Sequence, residues 1–149
     1  MSAELRRQAI RLLARREHTR AELRRKLAAH GTGEEIDLVL AELEASHLQS
    51  DDRYAEAYLR GHAQRFGAAR LRQSLRTRGL SEEIIESQLR EAALPDELQR
   101  ARDVWRRKFS TLPGDPREWA RQVRFLQGRG FASDTIRRLL KSAPGEDES

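Results

Sequence analysis

The run Leu-x-x-x-Leu-x-x-x-Gly-x-x-Glu-Glu-Ile occurs twice in this chain, 48 residues apart. Leu23 falls on Leu71, Leu27 on Leu75, Gly31 on Gly79, and Glu34-Glu35-Ile36 on Glu82-Glu83-Ile84. Text repeated at that length means that one structural unit is repeated, and a unit of this size buries its apolar face only by stacking on a neighbour. The repeated text is itself helical. Leucines four apart share a helix face, glycine can close the helix, and paired acids suit the first turn of the next.

Apolar residues recur at helical spacing along almost the whole chain, and no alternating β-branched run interrupts them. The first unit predicts a helix over about residues 3–16 through Leu5, Ala9, Leu12 and Leu13. Thr19 and Glu22 have capping-box spacing, opening a helix with Leu23 and Leu27 that stops at Gly31 in a left-handed cap. A third helix runs over about 34–45 through Ile36, Val39, Leu40 and Leu43. The second unit opens at Ser50-Asp51-Asp52 on a helix with Tyr54, Ala55, Tyr58 and Leu59, breaks at Gly67, and runs through Leu71 and Leu75 to Gly79. Ser81 then opens a helix through Ile84, Ile85 and Leu89. The third unit is more diverged. Pro95-Asp96 begins a helix with Leu98, Ala101, Trp105 and Phe109. Asp115 caps the next, with Pro116 at its first position, where the missing amide costs little. Trp119, Val123 and Leu126 line that helix to Gly130, and Ser133 caps a last one with Ile136, Leu139 and Leu140. The fold expected is all-α: three tandem three-helix repeats over 1–49, 50–94 and 95–141, forming an elongated, curved body, with a frayed acidic tail at 142–149.

Charge follows the repeat. Residues 1–30 carry a net +6, 31–56 a net −7, 60–78 six arginines and no acid, 82–97 one arginine against six acids, and 100–141 a net +8. Of the 29 basic residues only Lys26, Lys108 and Lys141 are lysine. Genomic composition can produce such a ratio, but arginine also suits phosphate and carboxylate partners through its planar fork. Arg117, Arg121 and Arg124 lie three and four apart, opposite Trp119, Val123 and Leu126. Arg100, Asp103 and Arg107 lie opposite Ala101 and Trp105. Such stripes can neutralise phosphates or dock on an acidic protein surface, or simply be solvated.

No catalytic constellation emerges, and no cofactor or metal is implied. His18, His30, His47 and His62 lack metal-ligand spacing, and Gly31-Thr32-Gly33 has neither the preceding strand nor the Gly-Lys-Ser/Thr of a phosphate loop. Glu34-Glu35 and Glu82-Glu83 occupy helix first turns, where acids complement the dipole. Trp105 and Trp119 fall at core spacing. Cysteine is absent, no apolar stretch approaches the roughly 18 residues of a membrane span, and the opening residues do not read as a signal peptide. The expectation is a soluble cytoplasmic protein that is not an enzyme.

The middle unit resembles the RecX family. Asp51-Asp52-Arg53-Tyr54-Ala55-Glu56-Ala57-Tyr58 is similar to its acidic–acidic–x–aromatic–Ala–Glu–x–Tyr signature, and Gly67-x-x-x-Leu71-x-x-x-Leu75-x-x-x-Gly79-Leu80 to the helix that follows. The run from Leu12 to Leu23 fits as well, as does Val123-Arg124-Phe125-Leu126-x-x-Arg129-Gly130-Phe131. Two departures, His62 for the family's usual Arg and Gly67-Ala68-Ala69 for a Gly-Pro-type turn, both sit at one helix join. The resemblance implies a monomeric regulator that lies in the groove of the RecA–DNA filament and inhibits recombinase and co-protease activity. Contact would fall to the exposed basic faces, Arg70, Arg72, Arg76, Arg100, Arg107, Arg117, Arg121 and Arg124, with Tyr54 and Tyr58 in the core. The same basic blocks would also serve a direct nucleic-acid binder acting without RecA, with a plain helical scaffold as a third reading. The acidic blocks count against a protein that binds DNA alone.

Overall fold

A computed structural model describes residues 2–141; the acidic tail expected at 142–149 lies outside the described residues. Those residues form nine helices and no strand: α1 (Ser2–Arg15), α2 (Arg20–Leu27), α3 (Gly33–Ala45), α4 (Asp51–His62), α5 (Ala68–Thr77), α6 (Glu82–Ala92), α7 (Glu97–Lys108), α8 (Pro116–Gly128) and α9 (Ser133–Lys141). They fall into two compact bodies. The first is the chain through Ala57 together with Leu75–Gln88, and the second is Tyr58–Ser74 together with the chain from Leu89.

In the first body α1, α2 and α3 close on Leu5, Ala9, Leu23, Leu27, Val39 and Leu40, each nearly removed from water. In the second, α7, α8 and α9 close on Ala101, Trp105, Leu126, Phe131, Ile136 and Leu140. A fully buried side chain of this class contributes about 1.5–3 kcal/mol, so the helices are held by these faces more than by their own propensity.

Local chemistry sets the ends. Thr19 and Glu22 form a capping box, Thr32 and Glu35 form a second, and Asp115 caps α8 with Pro116 in its first turn. The second box explains why the expected left-handed glycine cap is absent. Helix α2 already ends at Leu27 with Ala28 as C-cap, and Thr32 restarts the chain as helix almost at once. Gly31 is not among the residues at positive φ. It accommodates α1 instead, because a Cβ there would stand 2.6 Å from Leu5 Cδ1. Ser133 is likewise not a cap but the first residue of α9. The residue before it is Ala132, whose amide donates to Glu97 Oε2 at 3.3 Å. Gln88, not Leu89, is the buried member of the last turns of α6.

One joint is built in each body. In the first, Thr19 Oγ1 donates to the carbonyl of Arg78 at 2.8 Å, one residue before Gly79. In the second, the amide of Gly67, 48 positions after Thr19, donates to the carbonyl of Arg129 at 2.7 Å, one residue before Gly130. Gly79 and Gly130 both sit at φ +90°, and a Cβ on either would stand 2.3 Å from the Cβ of Ala21 or of Arg70 respectively. Glycine is thus needed twice over at these positions, for backbone conformation and for close approach. Each closes its helix with Schellman bonds, Leu80 N–H to Leu75 O and Phe131 N–H to Leu126 O, and tucks Leu80 or Phe131 into the core. An acid completes each joint by capping the helix start. Asp51 accepts from the Arg20 amide at 2.8 Å, and Glu97 accepts from the Ala68 amide, again 48 positions on, at 3.0 Å.

Candidate partner-binding surface

The eight arginines expected to reach a partner stand in very different surroundings. Arg100 is not on an exposed face. It is 7% exposed, with Nη2 donating to Phe66 O at 2.9 Å, Nε to Ala63 O at 3.2 Å and Nη1 to Pro95 O at 3.4 Å. Burial lowers its pKa, which Glu97 and Asp96 partly offset. The α4–α5 corner covers that side of α7, which a helical wheel of α7 alone cannot register. Arg70 donates to Gly128 O at 2.7 Å and lies 4.5 Å from the Phe66 ring centroid, so it too serves the joint while remaining exposed. Arg76, in the first body, grips Glu82 with both Nε (2.7 Å) and Nη2 (3.0 Å). Arg121 does the same to Glu118 and sits over Phe109 at 5.0 Å. The bond from Arg121 holds the Glu118 carboxyl below the ordinary carboxylate range. Arg72 is half-buried.

Arg117 and Arg124 fit the expectation best. Both are exposed on α8, away from Gln122 and Leu126, and no ion pair joins either to a described carboxylate. Apolar spacing does not place Gln122 in the core, yet it is 1% exposed. Its Oε1 accepts from the indole N–H of Trp105 at 2.7 Å, the partner that a buried Trp needs. Trp119 and Tyr58 are half-buried, as is Tyr54, whose hydroxyl accepts from Arg78 Nε at 3.0 Å.

Arg107 opens onto a cluster of positive charge in the second body. A cleft of about 230 Å³ is lined by Arg65, Arg107, Lys108 and Arg129, with Val104 and Phe125 between them and no carboxylate in its wall. Helix ends place all four cations. Arg107 and Lys108 sit in the last turn of α7, where positive charge suits the dipole. Arg129 is the C-cap of α8, and Arg65 lies just beyond α4. Aromatic faces hold three of them: Arg129 lies 5.1 Å from the centroid of Phe125 and 5.6 Å from that of Phe66, Lys108 lies 5.6 Å from Phe125, and Arg65 lies 5.8 Å from Phe66. Such contacts fix side-chain direction for about 0.5–1 kcal/mol each. No ion pair with a described carboxylate neutralises these four charges. Sequence alone does not single out Arg65, Lys108 and Arg129, although Arg107-Lys108 is a basic doublet and Arg129 opens the Arg129-Gly130-Phe131 run. A second hollow of about 460 Å³ shares Arg107 with the cleft.

Nothing among the described residues is arranged for bond-breaking. No group of three or more metal-ligating side chains is found among them. Glu35 is tied to Thr32 and Glu82 to Arg76. His62 stacks on Tyr58 with ring centroids 3.9 Å apart. No helix among the described residues is long and apolar enough to cross a membrane.

The chain matches family models for the first, second and third three-helix domains of RecX over residues 6–43, 50–89 and 95–140. It is 46% identical over 141 residues to "Regulatory protein RecX" of Leptothrix cholodnii, covering 94% of this chain and 89% of that one. It is 44% identical over 151 residues to the protein of the same name in Chromobacterium violaceum, covering 99% and 97%. The crystal structure of RecX from Lactobacillus salivarius matches with a TM-score of 0.80 at 19% identity, covering 94% of each chain. At that identity the structural likeness bears on the fold alone.

Proposed function

This chain belongs to the RecX family of regulatory proteins and is not an enzyme, and from that premise we propose that it binds the RecA recombinase filament and inhibits its recombinase and co-protease activities. It acts in the cytoplasm as a monomer. The observation that carries the reading is the succession of three RecX domains in order across residues 6–140. The chemistry of the second body supports it, with Arg117 and Arg124 presented as free forks to an acidic protein surface.

The carboxylate-free cleft favours one further reading, in which the chain grips nucleic acid directly and RecA is dispensable. Co-sedimentation separates the two. The regulator reading predicts that the chain pellets with RecA assembled on single-stranded DNA far more than with the same DNA alone. Equal recovery with bare DNA favours the direct binder, and recovery with neither sinks both.

A further inference from the structure

Helix α9 repeats the burial pattern of α3. Ile36, Val39 and Leu40 are buried, as are Ile136, Leu139 and Leu140, and the two residues after each isoleucine face water. In α9 those outward positions hold Arg137 and Arg138, whereas in α3 they hold Asp37 and Leu38. Leu38 is 63% exposed, so the core of the unit does not require an apolar side chain there. Glu34 and Glu42 stand four positions before and after it on the same helix face, with Ala41 and Ala45 exposed beside them. Asp37 is held by Arg24 at 2.7 Å, but no ion pair joins Glu34 or Glu42 to a described basic residue. A lone exposed leucine is ordinary. This one is bracketed by acids, and the second body carries the inverse arrangement: a cleft of about 230 Å³ with Val104 and Phe125 set between Arg65, Arg107, Lys108 and Arg129, and no carboxylate in its wall.

We propose that the outward face of α3 docks on a second copy of this chain, with Leu38 entering the partner copy's cleft and Glu34 and Glu42 meeting the cations around it. Opposite charges steer the two surfaces together and fix their register, and the leucine loses its contact with water. The two surfaces differ, so each copy keeps a free face and a free cleft, and the contact can repeat from copy to copy in a row. One helix face covers far less than the roughly 1,200–2,000 Å² that a stable interface buries. Dilute chains therefore stay monomeric, and the contact forms where copies are held close together, as neighbours in one filament groove would be. The contact itself is argued from this chain alone; only its use on a filament rests on the RecA reading.

The chain has no cysteine, so single cysteines can report the contact in the full protein without RecA. One copy carries Ala41→Cys, on the exposed face of α3. The other carries Gln64→Cys, an exposed position next to Arg65, and the two are mixed at high concentration with a short bis-maleimide linker. The mixed product should exceed that of Ala41→Cys with Gly114→Cys, a control on the open turn before α8, by at least about fivefold at low salt, and the excess should shrink as salt rises. Adding Glu42→Lys to the first copy, or Lys108→Glu to the second, should return the yield to the control level. Both changes together should restore it to within about twofold of the parent pair, since the attraction is re-formed with its signs exchanged. That rescue also shows that neither single change acts by unfolding the chain. A parent pair no better than the control overturns the contact, as do single reversals that leave the yield unchanged or a double reversal that fails to restore it. Copies that cross-link as expected but do not pellet with RecA filaments keep this contact and lose the regulator reading. Copies that pellet but do not cross-link above the control do the reverse.

Discussion

Removing the Arg100 guanidinium would leave the carbonyls of Ala63 and Phe66 without donors in a buried corner. Arg100→Met is therefore expected to lower unfolding free energy by about 2–4 kcal/mol, measured by urea titration. An unchanged midpoint would show that water replaces those bonds. His18 makes a second residue-level prediction. It is 1% exposed, its Nε2 meets Lys26 Nζ at 3.0 Å and its Nδ1 meets Arg16 O at 3.0 Å, so the neutral ring accepts from Lys26 and donates to the carbonyl. Burial is the largest cause and holds its pKa below the ordinary 6.5, helped by the charges of Arg16 and Lys26 and opposed by the hydrogen bond to the Arg16 carbonyl and by Glu22. The unfolded chain therefore takes up the proton first. Stability is complete above about pH 6.5 and falls as pH drops from there to the depressed folded value, with a limiting slope of about 1.4 kcal/mol per pH unit. His18→Gln should remove that slope, and chemical denaturation at pH 7 and pH 5.5 would reveal it. At this scale the sequence is readable wherever a residue's partner lies within a few positions, as with Thr19 and Glu22 or Asp115 and Pro116. It is unreadable for Arg100 and Gln122, because their partners come from other helices and their polarity argues for solvent.

Helix existence is legible almost throughout, since apolar spacing records which face each helix buries. Helix ends are less so, and Gly31 shows why. Its match to Gly79 in the repeated text suggests a shared conformation, yet Gly79 sits at φ +90° against Ala21, whereas Gly31 makes room for Leu5. The same residue type at the same register answers two different steric demands. Gly130 repeats the Gly79 solution, and an added Cβ there would stand 2.5 Å from Arg70 N and 2.9 Å from Arg70 Cα, neither of which is a flexible side-chain end. Gly130→Ala should cost at least about 2 kcal/mol, with loss of helix at a lower temperature, whereas Gly114→Ala, with open space around it, should cost far less. Similar melting temperatures for the two variants would refute the joint. On α8, periodicity places Arg117 and Arg124 outward, as the structure has them, but it does not reveal the pairing of Arg121 with Glu118. We therefore expect Arg117→Ala with Arg124→Ala to weaken RecA inhibition at a stability cost within about 0.5 kcal/mol each, and Arg121→Ala to add little beyond that. Inhibition undiminished by the double change would make this stripe a solvated face only.

Across the whole molecule the alternation of basic and acidic blocks is plain in the sequence, but its use is not. Much of the positive charge is consumed internally: Arg76 on Glu82, Arg53 on Glu17, Arg121 on Glu118, and Arg100 on main-chain carbonyls. Charge also stays without an ion pair to a described carboxylate, at Arg6, Arg15 and Arg25 in the first body and at Arg117, Arg124 and the cleft around Arg107 in the second. Sequence reports the sum of charge in a block but not which charges already have partners: for Arg53 and Arg100 that depends on segments more than 30 positions away, and for Arg121 and Arg76 on which of several nearby acids the side chain reaches. A regulator of this kind needs no reactive group, only a surface that favours one state of its target, the role we propose for Arg117 and Arg124. RecA-catalysed DNA strand exchange, followed at physiological salt with increasing amounts of this chain, tests the proposed restraint of RecA most directly. Exchange should slow progressively toward arrest as the chain is added, with no turnover by the chain itself. Exchange that proceeds at its full rate with the chain in excess over RecA would contradict the proposal.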